Sequence, residues 1–119
     1  MLRKTLGSVL AVFFIGISTI SAEEIHIGAL VPEKGPMETE GRLVKVALEN
    51  ARDALNESFK LQNEYNVLLS VEGTDPENPS TALEKLKILK DKGVKIVVGP
   101  ATDAEVEAVV FGQVAFELV

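Results

Sequence analysis

Three short apolar stretches alternate along the chain with three segments of helical periodicity, and this alternation restricts the fold more than any other feature. The stretches are residues 24–31, 65–72 and 94–98. Strands joined by helix-length connections are parallel, and their crossovers are right-handed. We therefore predict an α/β fold of three layers, with a partial doubly wound parallel sheet in the strand order 2-1-3.

The helices are predicted from apolar residues that recur every three to four positions. They cover residues 39–58, 79–92 and 103–118, and Asn78 and Gly93 suit the two ends of the second helix. The side chains predicted to face the core are Leu43, Ala47, Ala51 and Leu55 in the first helix, Ala82, Leu83, Leu86 and Leu89 in the second, and Val106, Val109, Val110, Val114 and Leu118 in the third. Those predicted to face solvent in the first helix are Arg42, Lys45, Glu49, Arg52, Asp53 and Glu57.

The first 22 residues have the composition of a secretory signal peptide. Two basic residues precede an apolar segment at residues 6–20, and small residues follow it. The segment is short for a membrane-spanning helix, which needs about 20 apolar residues. We expect residues 1–22 to be a signal peptide and residues 23–119 to be exported to a periplasmic or extracellular location. An uncleaved N-terminus that keeps the protein at the membrane is the alternative.

The exported part is acidic and has no cysteine. Without residues 1–22 it has ten basic and 18 acidic residues, which gives a formal charge of −8. This balance argues against nucleic acid and anionic membrane surfaces as partners. The lack of cysteine excludes disulfides, thiolate metal sites and a cysteine nucleophile. We expect one small domain that is stabilised by its apolar core alone.

The sequence offers no constellation of catalytic residues. His26 is the single histidine and stands between two isoleucines in the first strand, where a structural role is expected. Ser70 and Ser80 have no base in a suitable sequence context. Gly28 and Gly35 do not form a dinucleotide-binding fingerprint, and no phosphate-binding loop motif occurs. We therefore expect a protein that is not an enzyme and that uses no metal and no cofactor.

The third apolar stretch ends in a Gly-Pro turn and leads directly into a helix, in the sequence KIVVGPATD at residues 95–103. Thr102 and Glu105 form a capping box, and the free N–H groups of a helix N-terminus attract a carboxylate or a phosphate. The alternative is that Thr102 only caps its helix. The negative charge of Asp103, in the first turn of the same helix, competes with an anionic ligand for the positive end of the helix dipole. In the predicted strand order, this loop and residues 32–39 border the crevice at the switch point of the sheet.

Several segments together resemble a known family. They are IHIGALVP leading into Gly35-Pro36, the spacing of Gly41 and residues 47–50 in the first helix, NPSTA at residues 78–82, and KIVVGPATDAEVEAV. With the exported start, they resemble the N-terminal lobe of periplasmic binding proteins of the type I fold. Within that fold the chain is most similar to the branched-chain amino-acid-binding receptors of ABC transporters, over essentially all of residues 24–119.

The resemblance implies a small-molecule ligand, such as an amino acid, held between two lobes and delivered to an ABC permease in the membrane. It implies that the loop after the third strand contacts the ligand carboxylate through hydroxyl and backbone N–H groups, and that the first loop and helix line the cleft. Glu40 falls where some members have an aromatic residue, and an acidic residue there suits a polar or cationic ligand better than leucine. Asp103 stands where many members have serine or threonine, which is a departure from the amino-acid-binding pattern. The implied ligand-binding residues are Pro100, Ala101, Thr102, Asp103, Gly35, Pro36 and Glu40.

Because the family has a second lobe, we expect the chain to represent a truncated first lobe. Its second and third strands would be open sheet edges, through which a homodimer could form. Two other functions fit the same fold class. One is the ligand-sensing ectodomain of a receptor or regulator, and the other is a small dimerising α/β interaction domain.

Overall fold

The structure, a computed structural model, describes residues 22–60 and 64–117. The predicted signal peptide therefore lies outside the described residues except for Ala22, as do the side chains of Val114 and Leu118. The elements follow the predicted order. They are β1 (Glu23–Pro32), a 3₁₀ turn (Gly35–Met37), α1 (Glu38–Lys60), β2 (Tyr65–Thr74), α2 (Ser80–Asp91), β3 (Ile96–Val98) and α3 (Asp103–Glu117).

The three strands form one parallel sheet in the order β2-β1-β3, which confirms the predicted α/β class and strand order. Ile27 pairs with Ile96, and Ala29 pairs with Val98. Residues paired in this way point to the same side of a parallel sheet, so these four side chains share one face. We name this face the α1 face and the opposite one the α2–α3 face, after the helices that pack on each.

Both faces bury apolar side chains: Ala29, Val31 and Val67 are buried on the α1 face, and a larger cluster lies on the α2–α3 face. Leu30 of β1 packs there with Leu86, Leu89 and Val94, and Val97 and Val109 lie against this cluster. At Gly28, an added Cβ would lie 2.8 Å from Val94 and 2.9 Å from Leu89, so the glycine lets α2 lie close to the sheet. The predicted core residues of α2 are confirmed, since Ala82, Leu86 and Leu89 are buried and Leu83 is half-buried.

The two ends of α2 differ in how well they were predicted. Gly93 has φ +82°, its N–H donates to the Lys90 carbonyl at 2.9 Å, and the predicted left-handed helix end is confirmed. The predicted N-cap is wrong, because no side chain caps the first turn and α2 begins at Ser80. The side chain of Asn78 instead accepts a hydrogen bond from the Ser80 hydroxyl at 2.8 Å.

The helix α1 is attached to the other face at two points. Near its start, Gly41 is buried against the Pro32 carbonyl and leaves no space for a Cβ. Near its end, the Asn56 side chain accepts a hydrogen bond from the Val67 N–H at 2.6 Å and donates one to the Val67 carbonyl at 2.9 Å. These two contacts fix the rotation of α1 about its own axis.

This rotation makes the predicted core stripe of α1 wrong. Leu43, Ala47, Ala51 and Leu55 are all exposed, whereas Lys45, Glu49 and Arg52, which were predicted to face solvent, are half-buried. The physical reason is that Gly41 and Asn56 must face the sheet. The row that begins at Leu43 lies on another side of the helix, since each residue turns about 100° from the last.

The helix α3 shows a similar difference. Val109 is half-buried against the core, as predicted, but Val106 and Val110 are 42% and 51% exposed, and their predicted core positions are wrong. Gly112 lies directly against the Leu83 side chain of α2. Because this contact and Val109 face α2 and the sheet, the side of α3 that carries Val106 and Val110 turns to solvent. No helix among residues 22–60 and 64–117 is long and apolar enough to cross a membrane.

Candidate ligand pocket at the switch point of the sheet

The loops that follow β1 and β3 lie beside each other at the carboxyl edge of the sheet. The chain leaves β1 through the 3₁₀ turn and enters α1 on one face, and it leaves β3 through residues 99–102 and enters α3, which packs on the other face. A crevice at such a switch point is where open α/β sheets usually bind ligands. The geometry of these two loops therefore decides what this edge can hold.

The loop after β3 passes close to the backbone of β1. Gly99 has φ +97°, and an added Cβ would collide with the Leu30 carbonyl. Only glycine tolerates both this backbone conformation and this approach. The Gly99-Pro100 peptide bond is cis. Pro100 and Ala101 lie near the last residues of β1, Val31 and Pro32, and line one pocket with them.

A pocket of 180 Å³ lies between these two residues, β3 and the first turns of α1. Three of the predicted ligand-binding residues line it together: Glu40, Pro100 and Ala101. The wall is otherwise almost wholly apolar, and Glu40 contributes the one charged side chain of the lining. The remaining lining residues are Leu30, Val31, Pro32, Met37, Gly41, Val44, Leu48, Val98 and Gly99.

The other four predicted residues do not line this pocket. Gly35 has φ +72° and lies beside Glu77, whose Cγ would be 3.6 Å from an added Cβ. Pro36 is exposed in the 3₁₀ turn, and Asp103 is exposed at the start of α3. The structure therefore brings together part of the predicted set, while Gly35 and Pro36 form the outer surface of the first loop.

Thr102 is engaged in the predicted capping box. Its hydroxyl donates to Glu105 Oε2 at 2.9 Å and accepts the Glu105 N–H at 3.3 Å, and its own N–H donates to the same carboxylate oxygen at 3.3 Å. Glu105 is fully buried, and its second oxygen, Oε1, has no hydrogen-bond partner among residues 22–60 and 64–117. Since the one hydroxyl proton of Thr102 is used inside the box, recognition of a ligand here would fall to backbone N–H groups.

Acidic side chains surround this edge of the sheet. Glu33, Glu38, Glu40 and Glu77 are exposed in the first loop, the start of α1 and the loop after β2, and Asp103 is exposed at the start of α3. Their summed field attracts cations and repels anions. No group of three or more metal-binding side chains occurs in the part of the chain that the structure describes. The field therefore favours an organic cation over a bare anion.

The apolar half of the pocket was not predicted as part of the site. Met37, Val44, Leu48 and Val98 line it, although apolar residues of this kind are expected in the core of an α/β domain. Val98 could have been predicted to line the site, because it is the last residue of the third strand and the carboxyl ends of the strands border the crevice. The exposure of Val98, at 45%, became visible only in the structure.

Two larger cavities lie on the α2–α3 face, with volumes of 320 and 500 Å³. Both are lined by Leu86, Lys90 and Gln113. The larger one also reaches Val97 and the Gly99-Pro100 turn, so the predicted residue Pro100 lines it as well. We regard the smaller pocket as the better candidate site. Three predicted residues and the ends of both β1 and β3 line it, whereas one predicted residue, Pro100, lines the 500 Å³ cavity and none lines the 320 Å³ cavity.

In comparisons with known proteins, no protein-family model, no curated protein and no solved structure matches the chain.

Proposed function

We propose that this domain is one lobe of an extracytoplasmic solute-binding protein that serves an ABC importer and binds branched-chain amino acids or related amides. One observation carries the proposal: an almost wholly apolar pocket whose lining includes one acidic residue, Glu40, lies at the switch point of a parallel sheet, next to the N-terminus of α3. The family resemblance of the sequence motifs supports the same function.

The pocket matches the two chemical halves of such a ligand. A branched aliphatic side chain would contact Val44, Leu48 and Val98, where apolar burial favours it. The ligand ammonium would pair with the Glu40 carboxylate through charge-assisted hydrogen bonds. This pairing explains why an acidic residue in the pocket is compatible with a ligand that is otherwise apolar.

The carboxylate of an amino acid, or the amide group of its derivative, would face the first turn of α3, whose N–H groups lack partners inside the helix. A free carboxylate gains from the helix dipole there but is repelled by Asp103. An amide carbonyl accepts the same hydrogen bonds and has no charge to be repelled. We therefore include amides with amino acids, and we expect the amide of a given amino acid to bind more tightly than the acid.

One lobe supplies only part of such a site. Pockets that enclose small molecules measure about 300–1,000 Å³, and this pocket measures 180 Å³. In a two-lobed protein the missing contacts come when the lobes close on the ligand by a hinge motion. We expect the present lobe to bind with a dissociation constant weaker than about 1 mM, which corresponds to about −4 kcal/mol.

The test is a titration of ¹⁵N-labelled protein from residue 23 onward with L-leucine, L-valine and leucinamide, followed by amide chemical shifts. Shifts are expected at residues 37–44 and 98–102, with leucinamide producing the largest. Glu40→Gln should remove most of the response. The matched control is Glu38→Gln, which changes an acidic side chain two positions away that lines a different pocket, on the other side of α1.

Two outcomes would contradict the proposal. If none of these ligands shifts the named amides at any soluble concentration, the pocket does not bind this chemistry. If the lobe binds with micromolar affinity, the site is complete within one domain and the two-lobed interpretation is wrong. Equal responses of the Glu38→Gln and Glu40→Gln variants would assign the effect to general electrostatics.

A further inference from the structure

The helix α1 presents an apolar row to solvent along its middle three turns. Leu43, Ala47, Ala51 and Leu55 are exposed, and the two leucines are exposed by 66% and 44%. An amphipathic helix normally buries its apolar face. Here the contacts with Pro32 and Val67 hold the helix in a rotation that leaves this row uncovered by the described residues. The row is therefore a candidate contact surface.

The row has the same sequence in both directions. Its four residues stand four positions apart and read Leu, Ala, Ala, Leu, so the pattern is symmetric about a point midway between Ala47 and Ala51. A two-fold interface places the same surface of two copies against itself. About this midpoint, Leu43 of one copy meets Leu55 of the other, and Ala47 meets Ala51. The small residues allow the helix axes to approach closely at the centre, and the leucines pack at both ends.

The geometry of helix packing suits this arrangement. Residues four positions apart form the ridges that interdigitate in the commonest class of helix packing, with axes crossing at about −50°. Both alanines lie on one such ridge, at the crossing point. The neighbouring exposed side chains on this side of α1, Val44 and Ala54, are also apolar. The surface is thus wider than a single ridge.

Charge does not oppose self-association on this surface, although the exported part is acidic overall. Glu40 is the one charged residue on this side of α1, and in the two-fold arrangement it falls opposite Ser58 of the second copy. A serine hydroxyl can donate a hydrogen bond to a carboxylate. The acidic and basic side chains Arg42, Asp53 and Glu57 lie on other sides of the helix. Like charges therefore do not meet across the contact.

We propose that α1 mediates a symmetric homodimer in which this Leu-Ala-Ala-Leu row packs on the same row of a second copy. The competing apolar surface is the β3 edge, where Ile96, Val98 and Phe111 are exposed. That surface has no self-complementary pattern, and β3 offers only three residues for strand pairing. The proposed contact shares Glu40 and Val44 with the candidate ligand pocket, so it is tested in the absence of added ligand.

Cross-linking tests the contact directly, because the chain has no cysteine of its own. Two tagged forms of the full chain, one with Ala47→Cys and one with Ala51→Cys, are mixed in cell extracts and oxidised. The mixed disulfide should form at least tenfold faster than a disulfide between chains with Glu84→Cys, an exposed position on α2. A disulfide requires Cα atoms within about 7 Å, so the mixed pair reports the predicted juxtaposition.

Sedimentation of the full chain measures the strength of the contact. Leu43→Asp should raise the dimer dissociation constant about a hundredfold. A two-fold symmetric dimer contains the substitution twice, and we expect each lost apolar contact to raise the constant about tenfold. Since Leu43 is 66% exposed, its substitution leaves the fold intact, as circular dichroism would verify. Phe111→Asp, a change of an apolar residue that is 70% exposed on α3, should leave the constant unchanged.

Three results would overturn the proposal. The first is an unchanged dimer in Leu43→Asp together with a dissociated one in Phe111→Asp, which would move the interface to the β3 edge. The second is a wild-type chain that sediments as a monomer at every concentration. The third is oxidation of Glu84→Cys as fast as that of the mixed pair, which would mean non-specific collision.

Discussion

The two faces of the sheet are stabilised in different ways. On the α2–α3 face, leucine and valine side chains from β1, α2 and the turn that precedes β3 are almost fully removed from solvent, with Leu89 at 0% and Leu30 at 3% exposure. On the α1 face, Ala29, Val31 and Val67 are buried as well, and one helix is positioned by a glycine contact and an asparagine that binds a strand edge. The comparison shows that both layers bury apolar side chains, whereas on the α1 face a steric contact and a polar contact also set the rotation of the helix.

The difference follows from how many helices cover each face. Two helices pack against the α2–α3 face and one against the α1 face, so Ile96 and Val98 of β3 are 57% and 45% exposed beside α1. The candidate ligand pocket lies in this less covered region. Binding sites are often found where local stability is low, because such regions can move to admit a ligand.

The largest expected effect is on the α2–α3 face. Leu89→Ala should lower the free energy of unfolding by about 2–5 kcal/mol, because it leaves a cavity in a closely packed core. Leu43→Ala is the matched control on the α1 face and should change stability by less than about 0.5 kcal/mol at concentrations where the chain is monomeric. Denaturant unfolding measures both. Equal losses would show that α1 buries its leucines after all.

An intermediate effect is expected at the glycine contact of α1. Gly41→Ala places a methyl group on the Pro32 carbonyl, and overpacking of this kind costs about 1–3 kcal/mol. The same change at an exposed helix position would stabilise, because alanine favours helices. Asn50→Ala on the exposed side of α1 serves as the control and should be neutral or stabilising in denaturant unfolding. A stabilised Gly41→Ala variant would contradict the close approach of α1 to β1.

The smallest effect concerns the hydrogen bonds of α1 to the edge of β2. Asn56→Ala removes both bonds to Val67 and should cost about 1–2 kcal/mol. The more specific measurement is amide hydrogen exchange. The Val67 N–H should exchange faster in this variant, while the Val94 N–H, which donates to the Leu89 carbonyl on the opposite face, should keep its protection. Unchanged exchange at Val67 would mean that Asn56 does not bind the strand edge in solution.

Much of the fold could be predicted from the sequence. Strand order and parallel pairing follow from the alternation of apolar stretches with helical segments, and the core of α2 follows from Leu86 and Leu89. The exposed sides of α1 and α3 could not be predicted in this way. A periodic apolar row shows that a helix has an apolar side, but the row does not show whether the domain supplies a surface to cover it.

The candidate site was predicted in part. The crevice at the switch point and the participation of Glu40, Pro100 and Ala101 were expected, and the structure brings these three residues to one pocket. Gly35, Pro36, Thr102 and Asp103 were expected on the basis of chain position alone. Chain position places a loop at the correct edge of the sheet, but the path of the backbone decides which residues of the loop turn inward.

The sequence by itself determined the order of elements, the parallel sheet, the left-handed end of α2 at Gly93 and the capping box of Thr102 and Glu105, because each depends on contacts between residues close together in the chain or on the length of a connection. Only the tertiary structure decided the rotation of α1. That rotation depends on Gly41 reaching Pro32 and on Asn56 reaching Val67, and such contacts exist only once the sheet is assembled.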